Sequence, residues 1–295
     1  MKKNVPIYQN AAGPVPISMT NDYLFKALLQ KNEKVLRALI CSLLHLKPED
    51  LWDIWITNPI ILGESINDKD IVLDVNVSFN DGRIINLEMQ VVNKQSWPER
   101  STYYACRNYA TLKAGQDYLE INPIHQIGIL NFTPLTEHPR FYSVYQLSEI
   151  HDHHIYTDKF NICTLDLTHI DLATDEDKAY NIDIWAALFK SQTWEDIKML
   201  AAKYDAVNEA ATTLYQLSED ERIRLQCQAR EDYERDQRTT QHAIADLSKA
   251  LAGSQKELAD SQKELADSKK ELADSQQRIA ELEAQLAKLK GSSIT

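Results

Sequence analysis

In Ile71-Val72-Leu73-Asp74-Val75-Asn76-Val77-Ser78-Phe79, apolar and polar residues alternate strictly from Leu73 onward. The turn Asn80-Asp81-Gly82 follows. Arg83-Ile84-Ile85-Asn86-Leu87-Glu88-Met89-Gln90-Val91-Val92 then alternates in the same way. Period-2 alternation on both sides of a turn signal is the pattern of a half-buried β-hairpin. The loop length follows from the pattern. A two-residue loop would pair Phe79 with Ile84 and Val75 with Glu88, mixing apolar and polar residues on one face. A three-residue loop, with Gly82 in the left-handed position, pairs Phe79 with Arg83, Asn76 with Asn86, Asp74 with Glu88 and Val72 with Gln90. Ile71, Leu73, Val75, Val77 and Phe79 then share a face with Ile85, Leu87, Met89 and Val91.

This register sets two carboxylates directly opposite each other, at about 5 Å between Cβ atoms, where like charges repel. Two readings of Asp74 and Glu88 stand open on geometry alone. Either the pair lies on a solvated face, or a hard divalent cation binds between the acids and keeps waters for a phosphate substrate. Gln90 adds a neutral polar group beside them.

Together with Thr20-Asn21-Asp22-Tyr23-Leu24-Phe25-Lys26 and Glu99-Arg100-Ser101-Thr102-Tyr103-Tyr104, the hairpin resembles the PD-(D/E)XK nuclease superfamily. Within it, the chain is similar to the bacterial recombination-promoting nuclease and transposase family over roughly residues 18–190. The resemblance implies an α/β fold: a restriction-endonuclease-like mixed sheet flanked by helices. It implies that Asp74 and Glu88 hold Mg²⁺ or Mn²⁺. It places Gln90 where the superfamily usually carries Lys, and Asp22 at the acidic position of the opening helix. Asp22 also reads simply as an acid favoured at a helix N-terminus. The implied activity is metal-dependent endonucleolytic hydrolysis of DNA, tied to recombination, mobile elements or phage defence. Leu165-Asp166-Leu167-Thr168-His169 departs from the family's usual acidic-Leu-Pro-Lys-Phe stretch, so no role carries over to it.

The rest of the chain gives further expectations. Residues 1–17, with Pro6, Gly13, Pro14 and Pro16, read as a flexible arm. Thr20 or Asn21 caps a helix through Leu29. Val35, Leu36, Leu39, Ile40, Leu43 and Leu44 mark a second helix. Residues 59–62 read as a short strand, and 124–132, 141–147 and 160–167 as further strands. Pro98 opens a helix to about Ala114. On it Arg100, Tyr103, Tyr104 and Arg107 share an arc suited either to packing or to DNA. Arg100, Tyr104, Arg107 and Lys26 are the candidate DNA contacts. His151-Asp152-His153-His154 reads as a solvated loop rather than a metal cluster. Trp185, Leu188 and Phe189 are expected to cover the sheet.

The nuclease-like domain is drawn as 18–215 and the helical tail as 216–295. Within the tail, 244–290 carries heptads with Ile244, Leu251, Leu258, Leu265, Leu272, Ile279 and Leu286 at one position. Ser254, Ser261, Ser268 and Ser275 fall at the partner position. A seven-residue repeat predicts a left-handed coiled coil, weak in its serine-rich middle, and hence a homo-oligomer, most simply a dimer.

Composition sets the bounds. No apolar run is long enough to span a membrane, and the N-terminus lacks the apolar core of a signal peptide. Cys41, Cys106, Cys163 and Cys227 are scattered, as in reduced thiols, so a cytoplasmic location is expected. Seven glycines and no phosphate-loop motif argue against a nucleotide-binding enzyme. A net charge of −12 counts against a nucleic-acid partner. That acidity is not confined to the tail, since residues 231–295 hold 10 Lys/Arg against 13 Asp/Glu. The competing function is a catalytically weak member of the fold, binding DNA or protein through its coiled coil.

Overall fold

The computed structural model describes residues 6–51, 53–58, 74–79 and 82–291, with side chains through 285. Two compact units are present, residues 1–235 and 236–295.

The first unit is built on a six-stranded mixed sheet in the order β1-β2-β3-β4-β6-β5. Its strands are β1 (Ile54–Ile56), β2 (Val75–Phe79), β3 (Ile84–Gln90), β4 (Ile124–Leu130), β5 (Tyr142–Ser148) and β6 (Ile155–Asp166). The hairpin register is the expected one: Val75 pairs with Leu87, Asn76 with Asn86 and Val77 with Ile85. Gly82 takes φ +84°, and its N–H donates to the Phe79 carbonyl at 3.0 Å. Asn80, Asp81 and 71–73, and with them the Val72–Gln90 pair, lie outside the described residues. So does the strand expected at 59–62, while β1 was not foreseen.

β3, β4 and β6 run parallel. This corrects the half-buried reading, because parallel neighbours bring helices onto both sheet faces. One face carries Val75, Val77, Ile85, Leu87, Ile127, Ile129, Cys163 and Leu165, all in the main core. Above it lie α1 (Asp22–Lys31), α2 (Glu33–Leu43), α5 (Ile182–Lys190) and α7 (Asp205–Glu219). Asn21 caps α1, its side chain accepting from the Leu24 N–H at 3.1 Å. Trp185, Leu188 and Phe189 of α5 are buried as expected. The other face, expected to be polar and open, is covered by α3 (Trp97–Tyr109), which ends short of the expected Ala114. Ala105 packs there against Ile124 and Phe160.

The described part of the N-terminal arm is not loose. Tyr8 is buried, and its hydroxyl donates to Asn208 of α7 at 2.5 Å. Pro14 bridges to Thr193, just before α6 (Trp194–Ala201). The His151–His154 segment is an exposed turn between β5 and β6, closed by the Glu149 carboxylate accepting from two backbone N–H groups.

The short helix α4 (Asp175–Ala179) precedes α5, and α8 (Glu221–Gly291) follows α7. The first turns of α8 belong to the first unit. The second unit is helical through residue 291, and its heptad residues Leu251, Leu258, Leu265 and Leu272 are each more than half exposed. Among the described residues no helix is long and apolar enough to cross a membrane.

Candidate active site

Asp74 immediately precedes β2, and Glu88 lies near the end of β3. Continuing the observed register by one residue sets them opposite each other. Neither is solvated: Asp74 is 5% exposed and Glu88 3%. Burial, and after it the neighbouring Asp74 charge, push the Glu88 carboxyl up to about 7 against the opposing pull of Arg100. Burial raises the Asp74 carboxyl too, with Arg100, an Asn86 hydrogen bond and Lys26 acting in opposition. Glu88 Oε2 has no hydrogen-bond partner among the described residues. The pair is therefore a buried, mutually repelling and under-satisfied set of acceptors, a costly arrangement for a fold to keep.

Two cations lie against it, from opposite sides of the sheet. Arg100, on α3, brings Nη2 to 2.5 Å from Glu88 Oε1, and its guanidinium lies 5.3 Å from the Tyr104 ring centre. Lys26, on α1, is only 1% exposed, and its Nζ donates to the Asp74 backbone carbonyl at 2.9 Å. Burial lowers the Lys26 ammonium to about 8, with Asp74 holding it up. Lys26 is thus not a surface DNA contact; it is part of the interior of the site. Asn58 also grips this backbone, donating to the Asp74 carbonyl at 2.8 Å and accepting from the Asn76 N–H at 2.8 Å.

The remaining candidates fall at different distances from the pair. Gln90, half-buried at the end of β3, donates its amide to the Val92 carbonyl at 3.0 Å. Asp22 is not free to act at the pair. Arg230 of α8 takes both its oxygens, with Nε 3.0 Å from Oδ1 and Nη2 on Oδ2. Asp22 reaches the carboxyl pair only as a minor repulsive charge. Arg107 is exposed in the last turn of α3, about 10 Å along the helix from Arg100. Sequence reasoning missed Asn58 and Arg230. Arg230 stands 208 residues from its partner, and only a family-wide pairing signal would have linked the two.

Among the described residues no group of three or more His, Cys, Asp and Glu is placed to hold a metal. The carboxylate donors at this centre are the two strand acids. At the end of β6, Asp166 is buried beside His169, its Oδ2 2.9 Å from Nδ1, and Thr168 donates to its other oxygen.

Neither curated proteins nor solved structures gave a match to the chain. A family model described as PD-(D/E)XK nuclease family transposase matches residues 19–243, which take in Asp74, Glu88, Gln90 and the mixed sheet that carries them. The chain belongs to that family.

Proposed function

We propose that this protein is a divalent-metal-dependent DNA endonuclease acting in recombination, mobile-element biology or phage defence, with Asp74 and Glu88 as its metal ligands. The observation that carries the reading is the buried, opposed acid pair, in which Arg100 meets Glu88 Oε1 while Oε2 lacks a hydrogen-bond partner among the described residues. The two carboxylates fit Mg²⁺, which binds one or two carboxylates and keeps several waters for a phosphate substrate. Mn²⁺ suits the same hard oxygen donors. When bound, the ion supplies a polarised phosphodiester oxygen and a more acidic attacking water.

The chain's own residues perform the remaining tasks. Lys26 and Asn58 fix the backbone that presents Asp74. Arg100 counters the Glu88 charge from the α3 side and is placed to meet the scissile phosphate, with Tyr104 beneath its guanidinium. Arg107, further along the same face, contacts a neighbouring phosphate. Gln90 keeps its carbonyl oxygen for orienting a water, because its amide donor is engaged by Val92. Asp22 acts through Arg230 to anchor α1, and so positions Lys26 rather than touching the metal.

The deciding assay is nicking of supercoiled plasmid with and without Mg²⁺. Mg²⁺-dependent nicking is the expected result. Protein that binds the plasmid but never nicks it would support the alternative, a binding module of the same fold. Within this reading, Gln90→Lys retains or mildly raises the cleavage rate, since Lys is the usual superfamily residue there. Gln90→Ala slows the rate, and an unchanged rate would remove Gln90 from the mechanism.

The exposed heptad residues of the second unit pair with a second copy as a coiled coil, which brings two metal centres to one duplex. Aliphatic residues opposite serines give a modest seam, so association depends on concentration. Deleting residues 244–295 shifts the protein toward monomer in sedimentation and leaves nicking of one strand intact. A full-length protein that stays monomeric at high concentration would defeat this pairing.

A further inference from the structure

A cavity of about 230 Å³ lies on the α3 face of the sheet, walled by Trp97, Pro98 and Thr102 of α3, Leu135 after β4, Tyr145 of β5 and Ile162 of β6. Its position relative to the acid pair is set by one glycine. The Trp97 ring presses so closely on Gly128 that a Cβ there would lie 2.1 Å from ring atom Cζ2. Gly128 is the β4 residue paired with Glu88. The indole therefore stands over β4, one strand spacing of about 4.8 Å from the carboxylate strand. The cavity extends to its other side, over β6.

From this placement we infer that the cavity is a nucleobase pocket, making DNA with an unpaired base beside the scissile phosphate the preferred substrate. This inference rests on the nuclease reading above and specifies its substrate class. The size suits a flat ring system, being below the roughly 300–1,000 Å³ of sites for drug-sized ligands. The walls are apolar and include two aromatic side chains, Trp97 and Tyr145, on which any base can stack. A base inside a duplex is paired and stacked on both sides, so it reaches a walled cavity only if it is unpaired or extruded. The acidity of the chain points the same way. A protein of net charge −12 draws little from phosphate attraction, so apolar contact with bases carries a larger share of its affinity.

The test is fluorescence anisotropy of the full-length protein in EDTA, with a labelled single-stranded oligothymidine, a fully paired duplex and the same duplex bearing one bulged base. Wild type binds the single strand and the bulged duplex at least about tenfold tighter than the paired duplex. In Tyr145→Ala, a change at a side chain 37% exposed on an edge strand, the ratio falls toward one. Leu135→Trp, which fills the cavity, lowers the ratio in the same way, and melting curves show that both variants fold. Equal wild-type affinity for all three probes, or a ratio that survives both variants, overturns the pocket and leaves the nuclease reading standing. Failure to bind any of the probes, combined with no nicking of plasmid in Mg²⁺, overturns both.

Discussion

Replacing Asp74 or Glu88 with Ala is expected to abolish Mg²⁺-dependent DNA cleavage, by about 10³-fold or more, because each removes half of the carboxylate set proposed to hold the metal. The same substitutions are expected to leave the metal-free protein as stable or more stable, because each removes one of two buried, repelling acids and the Arg100 side chain, 32% exposed, can turn its charge to solvent. This opposite response separates the proposal from a structural role, in which activity and stability fall together. Near wild-type cleavage by either variant would refute the metal site. The metal-free fold also carries a pH signature. Glu88 rises from 4.5 to about 7 on folding, so the folded state holds its proton more tightly than the unfolded chain. The associated stability is fully present below the unfolded value and is lost as pH rises through about 7, on the order of 3 kcal/mol in all. Asp74 shifts in the same direction. Thermal melts in EDTA from about pH 5 to about pH 8 therefore fall with pH in wild type. They lose most of that slope in Glu88→Gln. An unchanged slope in the variant would mean that Glu88 does not titrate as its surroundings imply.

Lys26→Met lowers cleavage by about 10²-fold, the size of effect expected when one preorganised charge is withdrawn from a reacting centre. Met matches the length of the Lys stem and suits the apolar surroundings, and the ammonium it removes bears a burial cost that already lowers it to about 8. Asn58 still holds the Asp74 carbonyl after the change. The melting temperature is therefore expected to hold within a few degrees while activity falls. A variant that keeps wild-type cleavage would limit Lys26 to packing, and one that unfolds would make it a structural donor first. At 1% exposed, Lys26 has no surface to offer a phosphate.

The hairpin, its loop and its register were legible in the residues because they depend on neighbours in sequence. Alternation fixes which side chains share a face, and Gly82 at φ +84° supplies the turn that keeps both apolar stripes together. The opening helix and its Asn21 cap were legible for the same reason, as were the buried central strand β4 and the helical character of the heptads. What alternation cannot report is what covers each face. Glu88 and Asn86 occupy polar positions whose covering alternation leaves open, and α3 closes over them, because a parallel β3–β4 pair brings its crossover helix onto that face. Lys26 read as a surface cation, and only the packing of α1 against the sheet takes it inside. Asp22 read either as a metal-side acid or as an acid at a helix N-terminus, and only the return of α8, 208 residues later, gives it to Arg230. Sequence by itself determined the chemistry along each element; burial, charge pairing and the cavity beside Trp97 came from contacts between distant segments, which no local pattern records.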